Sequence, residues 1–136
     1  IAESDVKRPE ARGSICMYID GGWRTLSPRA EIVDYGDPVA RLDVSILQDH
    51  LLSPILGIED PRRSTRISFI GGIRGTEALE RAVDQGAAVA FSLHPTGIDQ
   101  LFDVADHGKT MPPKSTWFEP KLFEGVVVRM LDELEA

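Results

Sequence analysis

Polar and apolar residues alternate in two short runs near the start of the chain. Residues 14–19 are rich in β-branched, aromatic and other apolar side chains, and residues 22–26 return with large apolar and polar side chains in alternation. The dipeptide Asp20-Gly21 between these runs is a strong two-residue turn signal. The pattern predicts a β-hairpin.

From Asp43 onward the apolar residues recur at a helical period. Asp43 is placed to cap the N-terminus of this helix, and Pro54 is expected to end or kink it. The predicted apolar stripe consists of Val44, Leu47, Leu51 and Ile55.

A strand, a glycine turn and a helix are predicted next. Residues 66–70 are typical of a strand, residues 71–75 form the glycine turn, and Thr76 is placed to cap a helix that stops at Gly86. The side chains expected to face inward are Leu79, Ala82 and Val83.

Two further strands and one further helix are predicted in the second half. Residues 87–93 are almost continuously small or apolar, which is typical of a central strand covered on both faces. Thr96 is placed to cap a helix that ends at Gly108, and residues 125–131 form the last predicted strand. The predicted apolar face of this helix consists of Ile98, Leu101, Phe102, Val104 and Ala105.

This order of elements predicts an α/β fold, with α+β as the alternative. We expect a single mixed sheet of about five strands with about three helices packed on it. If the two strands run parallel, right-handed crossovers would bring the turns after Ile70 and Leu93 to the same carboxyl edge, where such sheets usually bind ligands. Residues 1–12 are polar and linker-like, residues 13–136 have the length of one mixed α/β domain, and the start at Ile1 suggests the C-terminal part of a longer protein.

The chain is acidic, with 15 Lys and Arg against 22 Asp and Glu and a formal net charge of -7. This charge argues against non-specific binding to nucleic acid or to anionic membranes. Cys16 is the only cysteine, so one chain can form neither an intramolecular disulfide nor a cysteine-based zinc site, and a reducing cytoplasm fits. The remaining residues show no metal-ligand spacing and no cofactor motif.

The proline–lysine segment, residues 109–124, is the leading site candidate. Prolines stiffen it, and its 16 residues without predicted regular structure are long for a connector. It is net positive by two between residues 109 and 121, so a phosphate or carboxylate would meet ammonium groups, hydroxyls and backbone N–H groups. The alternative is a rigid wrap whose lysines are merely solvated. The ligand-binding candidates here are Lys114, Ser115, Thr116 and Lys121.

Two turns supply the remaining candidates. Gly71 and Gly72, with Arg74, would let the backbone approach an anion at a helix N-terminus, or else only allow a tight turn. His94 is a candidate catalytic acid or base beside the candidate ligand-binding hydroxyl of Thr96, or else a hydrogen-bonded turn residue. Structural roles are assigned to His50 and His107, and Asp99, Asp103 and Asp106 are interpreted as a solvated helix face.

Three parts of the chain carry a family resemblance. They are residues 42–44 with 54–58, residues 91–96 (FSLHPT) and residues 111–122 (MPPKSTWFEPKL). Through these three parts the chain resembles the C-terminal portion of the domain-of-unknown-function 1015 family. The resemblance covers nearly the whole chain from Gly13 onward. The resemblance implies no particular reaction. It implies that full-length members carry a larger N-terminal portion, which would be a partner of this domain and would complete any shared site.

Two functional hypotheses follow. The leading one is a cytoplasmic module that binds a phosphorylated or carboxylated small molecule, with Lys114 and Lys121 supplying charge and His94 acting as an acid or base. The rival is a non-catalytic domain that docks on the rest of the full-length protein or on a second copy, as a homo-oligomer. Neither decides whether the chain is an enzyme.

Overall fold

An antiparallel sheet lies at the centre of the fold in the computed structural model, which describes the backbone of residues 2–116 and the side chains of residues 4–116. The four strands in this part of the chain lie in the order β1-β3-β2-β4, and each pairing is antiparallel. Their bounds are β1 Ala2–Glu3, β2 Ile15–Ile19, β3 Gly22–Leu26 and β4 Ala90–Leu93.

The predicted hairpin is confirmed and has a two-residue turn. β2 and β3 pair from Ile15 opposite Leu26 to Ile19 opposite Gly22. Asp20 and Gly21 between them have φ values of 52° and 74°. Two successive positive φ values are the signature of a type I′ turn, whose twist matches that of the flanking strands.

Helices form between and after these strands. α1 spans Asp43–Leu47 and continues into a π-helical turn over Gln48–Leu52, so helical structure ends before Pro54, as predicted. α2 spans Glu77–Asp84 and α3 spans Ile98–Asp106. Single 3-10 turns occur at Ala30–Ile32 and Gly72–Arg74. None of the helices in the described part of the chain is both long and apolar enough to cross a bilayer.

The two faces of the sheet pack against different helical segments. On one face Ile15 and Leu26 form a buried cluster with Leu47, Leu52 and Ile58, from α1 and the segment after it. The cluster on the other face, which packs against Leu79 and Val83 of α2 as predicted, consists of Cys16, Tyr18, Trp23 and Ala90. Burial of each large apolar side chain stabilises the fold by roughly 1.5–3 kcal/mol, so both helical layers are held mainly by apolar contact.

The prediction of a strand at residues 66–70 is wrong. These residues contain no strand, and the 3-10 turn that follows them is not preceded by one. A β-rich composition favours a strand only where a neighbour supplies the hydrogen bonds, and no described strand pairs with this segment. Without it, the predicted shared carboxyl edge with the His94 turn does not form.

The position of the last described strand also differs from prediction. β4 pairs only with β2 among the described residues, and the pairing is antiparallel, so the sheet described is antiparallel rather than mixed and β4 lies at its edge. Sheet and helices together fit the α+β alternative. The strand predicted at residues 125–131 lies outside the described residues.

Three details of the helices differ from prediction. Gly97, not the predicted Thr96, is the residue before the first turn of α3. Leu42, not Asp43, is the residue before the first turn of α1, and the Asp43 carboxylate instead accepts a hydrogen bond from the Gly13 N–H. On α3 Val104 is buried, but Ile98 and Phe102 are each 60% exposed. The predicted apolar face of α3 is therefore only partly covered by the described residues.

Candidate functional site

The turn between β4 and α3 positions His94. Its Nδ1 lies 3.0 Å from the carbonyl oxygen of Pro95. Because a carbonyl can only accept, this contact places a proton on Nδ1, and the tautomer that carries only this proton has Nε2 as an acceptor. This tautomer suits a general base or an acceptor for a ligand hydroxyl.

A second turn, at Pro112–Ser115, presents Lys114. The Ser115 N–H donates to the Pro112 carbonyl at 3.4 Å, and the Ser115 hydroxyl donates to the same oxygen at 2.6 Å. Lys114 has a φ of 61°, in the left-handed region. Proline in the second place and a positive φ in the third are the pattern of a type II turn, in which the third place favours glycine. Lysine at this position is strained, and its side chain is exposed.

These two turns are joined directly. The Thr96 hydroxyl donates to the Ser115 carbonyl at 2.8 Å, across 19 residues of sequence. Thr96 and Ser115 are both partly buried, and Thr116 follows at the end of the described chain. The hydrogen bond brings the described part of the proline–lysine segment against the His94 turn. Lys121 lies outside the described residues.

The glycine turn is not connected to the His94 and Lys114 turns among the described residues. Gly72 and Arg74 belong to an exposed 3-10 turn, and Gly71 directly precedes it. Within residues 4–116, no hydrogen bond or ion pair connects these three residues to His94, Thr96 or Ser115. The residues predicted to bind one ligand therefore divide into two groups.

A carboxylate that sequence reasoning assigned to a helix cap lies near His94. Burial raises the pKa of the Asp43 carboxyl, while the Gly13 N–H at 2.9 Å and the electrostatic influence of His94 and Arg12 act in the opposite direction. The ring of His94 is thus close enough to interact electrostatically with Asp43.

Asp43 also lines a cleft of about 360 Å³ that the sequence did not reveal. One wall is formed by Arg12 and Asp99, whose guanidinium and carboxylate make two hydrogen bonds of 2.5 and 2.6 Å. The pairing lowers the pKa of Asp99 to about 2. Other polar and apolar residues lining the cleft are Tyr35, Arg41, Gln100, Val33 and Ile46.

No local signal could have identified this cleft. Arg12 and Asp99 are 87 residues apart, and Arg12 lies in the polar segment that precedes the hairpin. The sequence predicts only a solvated helix face for Asp99 and the other acids of α3. Only the tertiary arrangement shows that this acid faces an arginine.

The cationic side chains around the cleft and the two turns differ in whether a carboxylate pairs with them. Arg12 is paired with Asp99, Arg41 with Asp103, and Lys109 with Asp37. Lys114 has no carboxylate within ion-pair distance among residues 4–116. Within the same residues, histidine, cysteine and carboxylate side chains form no group of three that could hold a metal ion.

Comparisons with known proteins add no family to this description. No protein-family model matches the chain, and searches of curated proteins and of solved structures found no significant match. The resemblance to the domain-of-unknown-function 1015 family therefore stays a prediction from the sequence.

Proposed function

We propose that the chain binds a small anionic molecule, phosphorylated or carboxylated, where the Lys114 turn meets the His94 turn. Lys114 supplies positive charge, the Thr116 hydroxyl donates a hydrogen bond, and His94 accepts or transfers a proton. The Ser115 hydroxyl donates to the Pro112 carbonyl, so it joins the site by rotating from that carbonyl to the ligand. Lys121 belongs to the proposed site as a second cation. The N-terminal portion implied by the family resemblance would complete it.

The single observation that carries this proposal is the hydrogen bond from the Thr96 hydroxyl to the Ser115 carbonyl. It joins two segments whose sequences each predict a binding or catalytic role. A strained lysine supports the same interpretation, because residues held at unfavourable φ are common at functional sites. Glycine would suit the turn better, so the choice of lysine points to a use for its ammonium group.

The charge balance favours Lys114 over the arginines as the anion-binding group. Arg12 and Arg41 already face carboxylates, and a ligand would have to replace those partners. An ammonium group without such a partner among the described residues can bind an anion without this cost. The glycine turn and Arg74 are not needed for this version of the site.

The test is a calorimetric titration of inorganic phosphate and of acetate into the wild type and two variants. Lys114→Gly removes the charge and relieves the positive φ, so it should fold at least as well as the wild type. We expect it to weaken saturable binding at least about tenfold, the effect of losing one charge-assisted hydrogen bond. Lys114→Arg should retain most of the binding.

Arg29→Gln is the matched control, because Arg29 is also an exposed cation but belongs to neither turn. It should bind phosphate as the wild type does. Absence of saturable binding of both anions to the wild type would overturn the proposal for this chain. If Lys114→Gly and Arg29→Gln lost anion affinity equally, the binding would be a non-specific charge effect and the proposed site would be wrong.

A second candidate function is a non-catalytic domain that docks on another polypeptide or on a second copy. The observation in its favour is the pair Ile98 and Phe102, one helical turn apart on α3 and both 60% exposed. Exposed apolar neighbours of this kind are typical of interaction surfaces. Sedimentation of the wild type over a range of concentrations discriminates: self-association that Phe102→Ser abolishes, without anion binding, would favour this function.

A further inference from the structure

The arginine segment, defined as residues 62–74, has the charge of a surface that binds an acidic partner. It contains four arginines and no carboxylate, in a chain whose net charge is -7, so the other residues together carry -11. An acidic ligand is repelled by most of the molecule and attracted to this segment. Such asymmetry directs association to one face.

Two of these arginines are available for a partner. Arg62 and Arg63 share the carboxylate of Asp60, at 3.1 and 3.6 Å. Arg66 and Arg74 are exposed, and no carboxylate among residues 4–116 lies within ion-pair distance of either. An incoming carboxylate could pair with each of them in the bidentate geometry that guanidinium groups favour.

Large apolar side chains are exposed beside these charges. Phe69 is 49% exposed and Ile73 is 90% exposed. Ile67 in the same segment packs against the buried cluster of the sheet, so the segment is anchored to the fold. Aromatic and arginine side chains together on an anchored surface are typical of the residues that dominate protein interfaces.

The backbone of residues 67–70 also lacks hydrogen-bond partners within the described part of the chain. These residues have strand-forming composition but contain no helix, turn or strand. Among the described residues, their N–H groups donate no hydrogen bond and their carbonyls accept none. Unpaired backbone groups in a strand-forming segment are what an extended peptide pairs with when it adds a strand.

We propose that the arginine segment is a docking surface for an extended, acidic segment of a partner protein. The partner pairs its backbone with residues 67–70 and places carboxylates against Arg66 and Arg74, while its apolar side chains contact Phe69 and Ile73. This inference is independent of the anion site at Lys114. It gives a role to a segment whose sequence predicts a strand but which pairs with no strand among the described residues.

The test uses fluorescence anisotropy of a labelled peptide of about twelve residues in which glutamate alternates with valine, long enough to span the segment. We expect saturable binding to the wild-type chain that weakens with salt. Arg66→Glu should weaken it at least about tenfold, because a favourable charge pair becomes a repulsive one. Arg29→Glu changes the net charge equally outside the segment and should weaken it much less.

Peptide variants separate strand addition from simple charge attraction. Two versions are methylated on alternate backbone nitrogens, so that each lacks the N–H groups of one edge. Pairing along one edge predicts that one version loses binding and the other retains it. Melting temperatures of Arg66→Glu and Arg29→Glu should equal that of the wild type, since both residues are exposed.

Several results would overturn the proposal. They are no saturable peptide binding to the wild type, equal losses in Arg66→Glu and Arg29→Glu, and unchanged binding of both methylated peptides. Tighter binding to phosphatidylserine vesicles or to an oligonucleotide than to the peptide would assign the segment to another class of partner. Self-association of the chain that Arg66→Glu abolishes would assign it to a second copy.

Discussion

At the scale of single residues, Asp43 shows two opposing effects on one carboxyl group. Burial disfavours its ionised form and raises its pKa, whereas the Gly13 N–H and nearby positive charges favour ionisation. A folded-state pKa above the unfolded value means that the folded chain binds this proton more tightly. The stability contributed by that proton is present below the unfolded pKa and is lost as pH rises through the raised pKa.

We therefore expect Asp43→Asn to be more stable than the wild type at pH 7. The amide oxygen can still accept the bond from Gly13, and the cost of charging a half-buried group disappears, a gain of about 1 kcal/mol. Urea unfolding at pH 7 and near pH 3 measures this, and the difference should shrink or reverse in acid. A variant less stable than the wild type at both pH values would show that the carboxylate is net stabilising.

At the scale of elements, the β2–β3 hairpin depends on its two turn residues. We expect Gly21→Ala to lower the free energy of unfolding by about 1–2 kcal/mol, because a side chain at a φ of 74° is strained. Gly22→Ala is the matched control: Gly22 lacks a positive φ, and an added Cβ would meet only the Ile19 carbonyl oxygen, at 4.0 Å. Urea midpoints of the two variants should differ clearly, and equal midpoints would contradict the assigned turn.

The same hairpin shows which parts of the fold could be predicted from the sequence. Its turn signal and both its strands lie within about a dozen consecutive residues, so local preferences suffice. Residues 66–70 have equally good strand composition, but a strand also needs a neighbour, which composition does not report. Both segments joined by the Thr96–Ser115 contact could be identified as site candidates, because each has a distinctive local sequence. The Arg12–Asp99 pair could not be predicted from the sequence, because the residues around each give no indication of the other.

At the scale of the whole molecule, ion pairs connect segments that are far apart in sequence. Arg12 with Asp99, Arg41 with Asp103 and Lys109 with Asp37 span 87, 62 and 72 residues. Each joins α3, or the residues just after it, to a segment before α1. These pairs are largely exposed, so each alone contributes little. Together they connect the segments around the cleft through groups that respond to pH and salt.

Two of these pairs predict how the molecule responds to acid. Hydrogen bonds from Lys109 and Arg12 lower the pKa values of Asp37 and Asp99, each to about 2 from an ordinary value of 3.8. Between pH 3.8 and about 2, the two carboxylates bind protons in the unfolded chain but stay largely ionised in the folded chain. The stabilisation is therefore present above pH 3.8 and is lost as pH falls toward 2.

We expect the double variant Asp37→Asn/Asp99→Asn to lose stability less steeply than the wild type over this range, since it lacks both titrating groups. Urea midpoints measured between about pH 5 and pH 2 test this, with salt held constant because exposed pairs are screened. Asp34→Asn with Asp106→Asn is the matched control, because both residues are exposed and neither forms an ion pair within the described residues. Parallel profiles for the wild type and the Asp37/Asp99 variant would contradict a stabilising role for the two pairs. A change confined to that variant would show that the connections around the cleft are maintained by charge.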